Sequence, residues 1–229
     1  MKLSNIEHIF FDLDHTLWDF DKNSGLAFNS IFQKNKIEVE IDRFMEVYSP
    51  INENYWKLYR QNRVSQQDLR YGRLRESFDS LEIDLTKEQI DLLAIDYIDY
   101  LPQNNILLEG AVELLEYLAP KYRLHIITNG FREVQYKKLE NSQIMPFFDT
   151  ITTSEDAGVK KPHRLIFEKA LESAGATVKT RLMIGDNFEA DVVGAQKVGM
   201  RAILYNYYKR EFSPECLQVL KMKEIAAFL

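Results

Sequence analysis

The chain has one cysteine, Cys216, among 229 residues, so it can form no disulfide of its own and a small disulfide-stapled scaffold is excluded. No reactive-thiol setting surrounds Cys216, which reads as a packed side chain in a C-terminal helix. No apolar run approaches the roughly 18 residues of a membrane span. The first residues lack the basic start, apolar stretch and small-residue cleavage site of a secretory leader. A soluble, cytoplasmic protein with no membrane partner is expected. There is no basic excess either: the net charge is -6 and the pI about 5.4, which argues against a nucleic acid polymer but leaves a small anion possible. Four scattered histidines, His8, His15, His125 and His163, offer no zinc spacing. A G-x-S-x-G elbow, a P-loop and a G-x-G-x-x-G turn are all missing. Nothing in the sequence specifies an oligomeric state.

What is present is an ordinary globular composition, 45% hydrophobic and 28% charged, without repeats or low-complexity tracts. Short apolar runs rich in β-formers recur at "HIFFDLD", "RLHIITN", "FDTITTS", "RLMIGDN" and "RAILYN", as buried parallel strands do. Helical patterns lie between them: "EGAVELLEYLAPKY", "REVQYKKLENSQ", "PHRLIFEKALESAG" and "EADVVGAQKVG", the last two ending near glycines suited to C-caps. The alternation predicts an α/β fold with a doubly wound parallel sheet. From Asp19 to about Asn104 the strand-like runs stop, and apolar residues recur at three and four, as in helices that bury one face. The expected organisation is an α/β core over 1–18 and 104–229, with a helical unit over 19–103 inserted after the first strand.

An open α/β sheet binds its ligands beyond the carboxyl ends of its strands. Those ends read Asp12 and Asp14, Thr128-Asn129-Gly130, Ser154-Glu155-Asp156 and Gly185-Asp186-Asn187. Strand alternation places Asp12 and Asp14 on one side, roughly 7 Å apart at Cα. With Asp186 they make three carboxylates, which repel unless a hard cation such as Mg2+ keeps them ionised. Thr128 and Asn129 stand where a strand turns into a helix starting near Phe131, a place suited to phosphate. Lys161 precedes Pro162 at the next helix start and would neutralise a phosphoryl oxygen, with Lys160 as the alternative. Each feature alone is weak, but together they assemble metal, phosphate and nucleophile at one sheet mouth.

These residues resemble the haloacid dehalogenase-like (HAD) hydrolase superfamily, whose four motifs stand here as "FFDLDHT", "IITN", "KKP" and "GDNFEAD". The resemblance implies a Rossmann-like core. It also implies Asp12 as the nucleophile that forms an aspartyl-phosphate, and Asp14 as general acid and base. Thr128 and Lys161 would hold the phosphoryl group. The Asp12 and Asp186 carboxylates and the Asp14 backbone carbonyl would bind Mg2+, with Asp191 in support, directly or through water. True dehalogenases do not need the acid/base residue, so Asp14 points to phosphate chemistry. The helical insertion resembles the cap that closes over the site in one branch, and Thr16, in "HTLWDF", is expected to brace the hinge loop by hydrogen bonds.

A narrower likeness, in "ITNGFREVQYKKLENSQIMPFFDTITTSEDAGVKKP", is to the noncanonical pyrimidine 5'-nucleotidases. It implies a nucleoside 5'-monophosphate as substrate. The other expectations are a phosphatase of small metabolites such as phosphoglycolate or sugar phosphates, a phosphomutase, and a non-catalytic nucleotide-binding regulator. Between Lys57 and Arg75 six basic residues are interleaved with or flanked by Tyr55, Trp56, Tyr59 and Tyr71. They either meet phosphate and base, or the aromatics fill the helical unit's core while the arginines are solvated.

Overall fold

The computed structural model of the chain describes residues 2–176, 180–213 and 215–229. The chain divides into two compact units, one formed by the residues up to Asp19 together with Ile106–Leu229, the other by Phe20–Asn105. The first strand, β1 (His8–Phe11), is buried along its whole length, as a run apolar on both faces must be. Trp18 pairs antiparallel with Leu107, and Leu108 N–H donates to Leu17 O at 2.9 Å. The outgoing and returning chains therefore run side by side within the first unit.

The second unit holds α1 (Phe20–Asn35), α2 (Ile41–Arg60), α3 (Gln66–Ser80) and α4 (Lys87–Tyr100). Two of them start at capping boxes, Ser65 with Asp68 and Thr86 with Gln89, which satisfy otherwise orphaned N–H groups. Apolar positions at three and four bring Phe28, Phe32, Phe44, Tyr48, Phe78 and Tyr97 into one aromatic core. Phe28 stacks on Tyr97 at 4.4 Å and meets Tyr48 edge-on at 4.7 Å. The expectation of solvated arginines fails at Arg73. It is buried under the Tyr97 and Tyr48 rings, and its Nη1 donates to Asn52 Oδ1 at 2.8 Å, because a planar, weakly hydrated guanidinium stacks on aromatic faces. Of the interleaved aromatics only Tyr59 is buried; Tyr55, Trp56 and Tyr71 are half-buried.

The first unit continues with α5 (Ala111–Leu118), β2 (Arg123–Thr128), α6 (Arg132–Asn141), β3 (Phe148–Thr153), α7 (Ser154–Ala157), α8 (Arg164–Ser173) and β4 (Arg181–Gly185). A π-helical turn, Phe188–Val193, runs into α9 (Gly194–Gln196). Then come β5 (Arg201–Tyr205), β6 (Gln218–Val219) and α10 (Met222–Ile225). Gly175 and Gly199, past α8 and α9, take φ values of +61° and +78°, left-handed endings that favour glycine. The six strands form one parallel sheet in the order β3-β2-β1-β4-β5-β6, the doubly wound, Rossmann-like arrangement expected. Successive strands are added on opposite sides of β1, β2 and β3 to one and β4 to β6 to the other, so the order switches between β1 and β4 and a ligand crevice belongs at their carboxyl ends. Under the sheet, Phe10, Ile127, Ile166, Phe167 and Met183 form a continuous core.

Cys216 lies in a bend that leads into β6, not in a helix, with its side chain against the core. β6 completes the sheet because Asn206 N–H and Leu204 N–H reach Val219 O and Leu217 O. No helix among the described residues is long and apolar enough to cross a membrane.

Candidate active site

Phe11 lies level with Ile126 of β2 and Ile184 of β4, so the residues that follow these strands meet at one edge. Asp12 leaves β1 with its N–H donated to Ile184 O at 2.9 Å. Asp186 follows β4, and Asp191 sits on the π-helical turn, where Asn187 N–H donates to its Oδ2 at 3.0 Å. One carboxylate oxygen from each of Asp12, Asp186 and Asp191 falls within 4.8 Å of the others. The Lys161 ammonium reaches this cluster: its Nζ lies 2.6 Å from Asp12 Oδ1 and 2.7 Å from Asp191 Oδ1, and donates to Ile127 O at 2.7 Å.

Burial is the strongest influence on Asp12, Asp186 and Lys161. It pushes the Asp12 carboxyl up to about 6 against the pull of Lys161, and Asp191 and Asp14 add to the rise. Asp186 is raised well above the carboxylate range, again by burial first and by Asp12 and Asp191 next, while His15 and Lys161 oppose. Burial acts to lower Lys161, but Asp12 and Asp191 outweigh it and the ammonium is raised. Three ionised carboxylates, those of Asp12 and Asp191 buried and that of Asp186 half-buried, would outnumber the one ammonium and leave negative charge uncompensated. An all-oxygen donor set of this kind fits a hard cation.

A second group stands beside the first. Thr128 ends β2, and its Oγ1 accepts from Gly130 N–H at 3.0 Å and from Gln135 Nε2 at 2.7 Å. Gln135 Nε2 also donates to Asp14 Oδ2 at 3.1 Å, and Lys138 Nζ donates to Asp14 Oδ1 at 2.6 Å. The Lys138 ammonium lies 4.0 Å above the Trp18 ring, a cation–π contact that helps a buried charge.

Asp14 thus differs from what its sequence position implies, a carboxylate grouped with those of Asp12 and Asp186. That carboxylate is held by Lys138 and Gln135, and Asp191 takes the third place in the acidic cluster. Of the Lys160-Lys161 pair it is Lys161 that reaches Asp12. Asn129 stands next to Thr128, but its side chain is turned to the Lys161 backbone: Oδ1 accepts from Lys161 N–H at 2.7 Å and Nδ2 donates to Lys161 O at 3.0 Å. Any part of Asn129 in holding phosphate falls to its backbone. Thr16 is fully buried, and its Oγ1 has no hydrogen-bond partner among the described residues; the bond it gives the loop is its N–H to Leu13 O at 3.3 Å. Gln135 and Lys138 were not foreseen. Their signal is positional: they lie on the face of α6 that Val134 and Leu139 bury.

Fold and site together define an enzyme of the Rossmann-like class, built around buried aspartates at the switch point of its sheet. The family model for haloacid dehalogenase-like hydrolases matches residues 9–205, and the chain belongs to that family. It is 32% identical over 204 residues to pyrimidine 5'-nucleotidase YjjG of Escherichia coli, covering 89% of this chain and 87% of the relative. It is 33% identical over 206 residues to the glyceraldehyde 3-phosphate phosphatase of Methanothermobacter thermautotrophicus, covering 88% and 86%. Among solved structures it resembles the HAD-hydrolase YfnB of Bacillus subtilis bound to magnesium, with a TM-score of 0.87, 27% identity and 98% of each chain covered.

Proposed function

We propose that the protein is a Mg2+-dependent phosphatase that hydrolyses a phosphomonoester through an aspartyl-phosphate on Asp12. The observation that carries this reading is the Asp12 carboxylate itself. It is buried beside the Lys161 ammonium at the switch point, next to a strand end bearing the Thr128 hydroxyl. Asp12 attacks phosphorus as the leaving oxygen departs, and Asp14 gives that oxygen its proton. Asp14 then takes a proton from the water that attacks the aspartyl-phosphate, which releases phosphate and restores Asp12. Thr128 and Lys161 hold the phosphoryl oxygens throughout, with Asn129 contributing from its backbone. The Asp12 and Asp186 carboxylates and the Asp14 carbonyl would hold Mg2+, supported by Asp191. Bound there, Mg2+ supplies charge neutralisation for the phosphoryl group and the carboxylates.

For the substrate we infer a nucleoside 5'-monophosphate. Support comes from the long sequence block around Thr128 and Lys161 and from the likeness to a relative named a pyrimidine 5'-nucleotidase. The archaeal relative favours a second reading, a phosphatase of sugar phosphates or similar metabolites. The Phe20–Asn105 unit is assigned the substrate choice that caps make in this family, and a cytoplasmic site of action accompanies this assignment.

A phosphate-release panel with Mg2+ over nucleoside monophosphates, sugar phosphates and phosphoglycolate tests both levels. The expected result is a kcat/KM for the best nucleotide at least about tenfold above the others; a sugar phosphate in first place overturns the nucleotide assignment. Asp12→Asn is expected to abolish turnover while the protein melts as a folded chain. Undiminished release from that variant rules out Asp12 as nucleophile.

A further inference from the structure

Gln135 and Lys138 lie one turn apart on the buried face of α6, each 1% exposed. A primary amide and an ammonium in such positions cost free energy unless every hydrogen finds an acceptor. The acceptors are Asp14 and Thr128, and the arrangement at Thr128 is fully determined. In its ionised form, the form that takes the proton from water, the Asp14 carboxylate only accepts, so Gln135 turns its nitrogen towards Asp14 Oδ2. That nitrogen carries two hydrogens. With one on Asp14, the other lies on Thr128 Oγ1, 2.7 Å away. Gly130 N–H donates to the same oxygen at 3.0 Å. A hydroxyl has two acceptor sites and a single hydrogen, so both acceptor sites of Thr128 are filled from within the protein. The remaining hydrogen has to point elsewhere, to an acceptor at the crevice.

We propose that Gln135 is a positioning residue of the phosphate site: it occupies the second lone pair of Thr128, and so directs that hydroxyl's one hydrogen onto a phosphoryl oxygen. Its other amide hydrogen joins Lys138 in fixing Asp14, so one face of α6 sets both the phosphate donor and the acid/base group. The inference rests on the phosphatase reading above, in which Thr128 holds phosphate. Gly130 belongs to the same device. A Cβ there would overlap the Gln135 side chain, so only glycine leaves the amide its place next to Thr128.

The test is a double-mutant cycle on the full-length protein with Mg2+, read as the dissociation constant of inorganic phosphate by calorimetry. Binding is measured without turnover, so it stands apart from the hydrolytic step. Gln135→Met keeps the length of the side chain but gives no hydrogen, and it is expected to weaken phosphate about tenfold, as Thr128→Val does. In the Thr128→Val background the same Gln135→Met change should add less than about twofold. Gln135→Glu puts an acceptor where the donor stood, pulling the Thr128 hydrogen inward and repelling Asp14. It should weaken phosphate more than Gln135→Met and also lower kcat, an order that a purely structural role at this position would not produce. It is also isosteric, so it carries the test if Gln135→Met does not fold. Additive losses in the double variant, or equal and negligible losses in both Gln135 variants, overturn the role of Gln135 while the phosphatase reading stands. An unchanged constant in Thr128→Val overturns the phosphate site itself, and this inference with it.

Discussion

At Gly185 the last position of β4 has no side chain, and the volume a Cβ would need is occupied by the Asp191 carboxylate. Asp191 cannot move far in response. Its oxygens are engaged with the Lys161 ammonium at 2.7 Å and the Asn187 N–H at 3.0 Å, and it is 1% exposed. Gly185→Ala should therefore push the carboxylate out of the cluster, costing about 1–3 kcal/mol of stability as overpacking does. Mg2+ affinity should fall with it. Urea denaturation and Mg2+ calorimetry on this variant check the two effects, and an unchanged Mg2+ affinity would mean that Asp191 has no part in holding the cation. The same crowding explains why nearness in sequence misleads here. Asp12 and Asp14 are two residues apart, yet their carboxylates serve different partners, while Asp191 reaches Asp12 only through the folded chain.

Between neighbouring strands, β1 and β2 share a buried histidine pair, His8 and His125. His8 Nδ1 and His125 Nε2 share a hydrogen bond of 3.0 Å, His125 Nδ1 lies 2.9 Å from Thr150 Oγ1, and Phe10 stacks on His125. Burial lowers His125 to about 4, with His8 and Arg123 in the same direction and Asp149 opposing. His8 is lowered too, by burial and then Arg123, against Glu7 and Asp149. An unfolded histidine titrates near 6.5. The folded state therefore binds fewer protons, and stability present above pH 6.5 is lost as pH falls towards 4. His125→Gln should flatten the melting temperature across that window, and a variant profile parallel to wild type would assign the acid loss to other groups. β1, β2, β4 and β5 were legible in the sequence because each is a short apolar run buried along most of its length, and the partly exposed edge strand β3 was legible through its β-formers. β6 was not, since two residues at a sheet edge leave no pattern, and Cys216 beside it reads as part of a C-terminal helix instead. Gln135 and Lys138 were hidden for a related reason. Polar residues on a helix read as solvent-facing until the tertiary fold turns that face inward.

For the molecule as a whole, the histidine pair and the acidic cluster impose opposite pH dependences on stability. Asp12 rises from 3.8 in the unfolded chain to about 6, and Asp186 too is raised well above its ordinary value. The metal-free fold thus takes up protons at this cluster. The stability linked to them is complete below pH 3.8 and is lost as pH climbs through about 6 and beyond, whereas the His125 contribution is lost on the acid side. Without a cation the two dependences therefore oppose each other across about pH 4 to 6. A cation bound by ionised carboxylates displaces those protons, so its stabilising effect must grow as the protons become easier to remove. The rise in melting temperature on adding Mg2+ in place of a chelator should accordingly be small near pH 5 and increase towards about pH 7. Asp186→Asn should reduce the Mg2+ shift at every pH. His125→Gln should leave it unchanged while flattening the acid limb, which separates the two sites in a single set of melts. A Mg2+ shift that is independent of pH, or that survives in full in Asp186→Asn, would place the cation away from the Asp12, Asp186 and Asp191 cluster and leave its uncompensated charge without a partner.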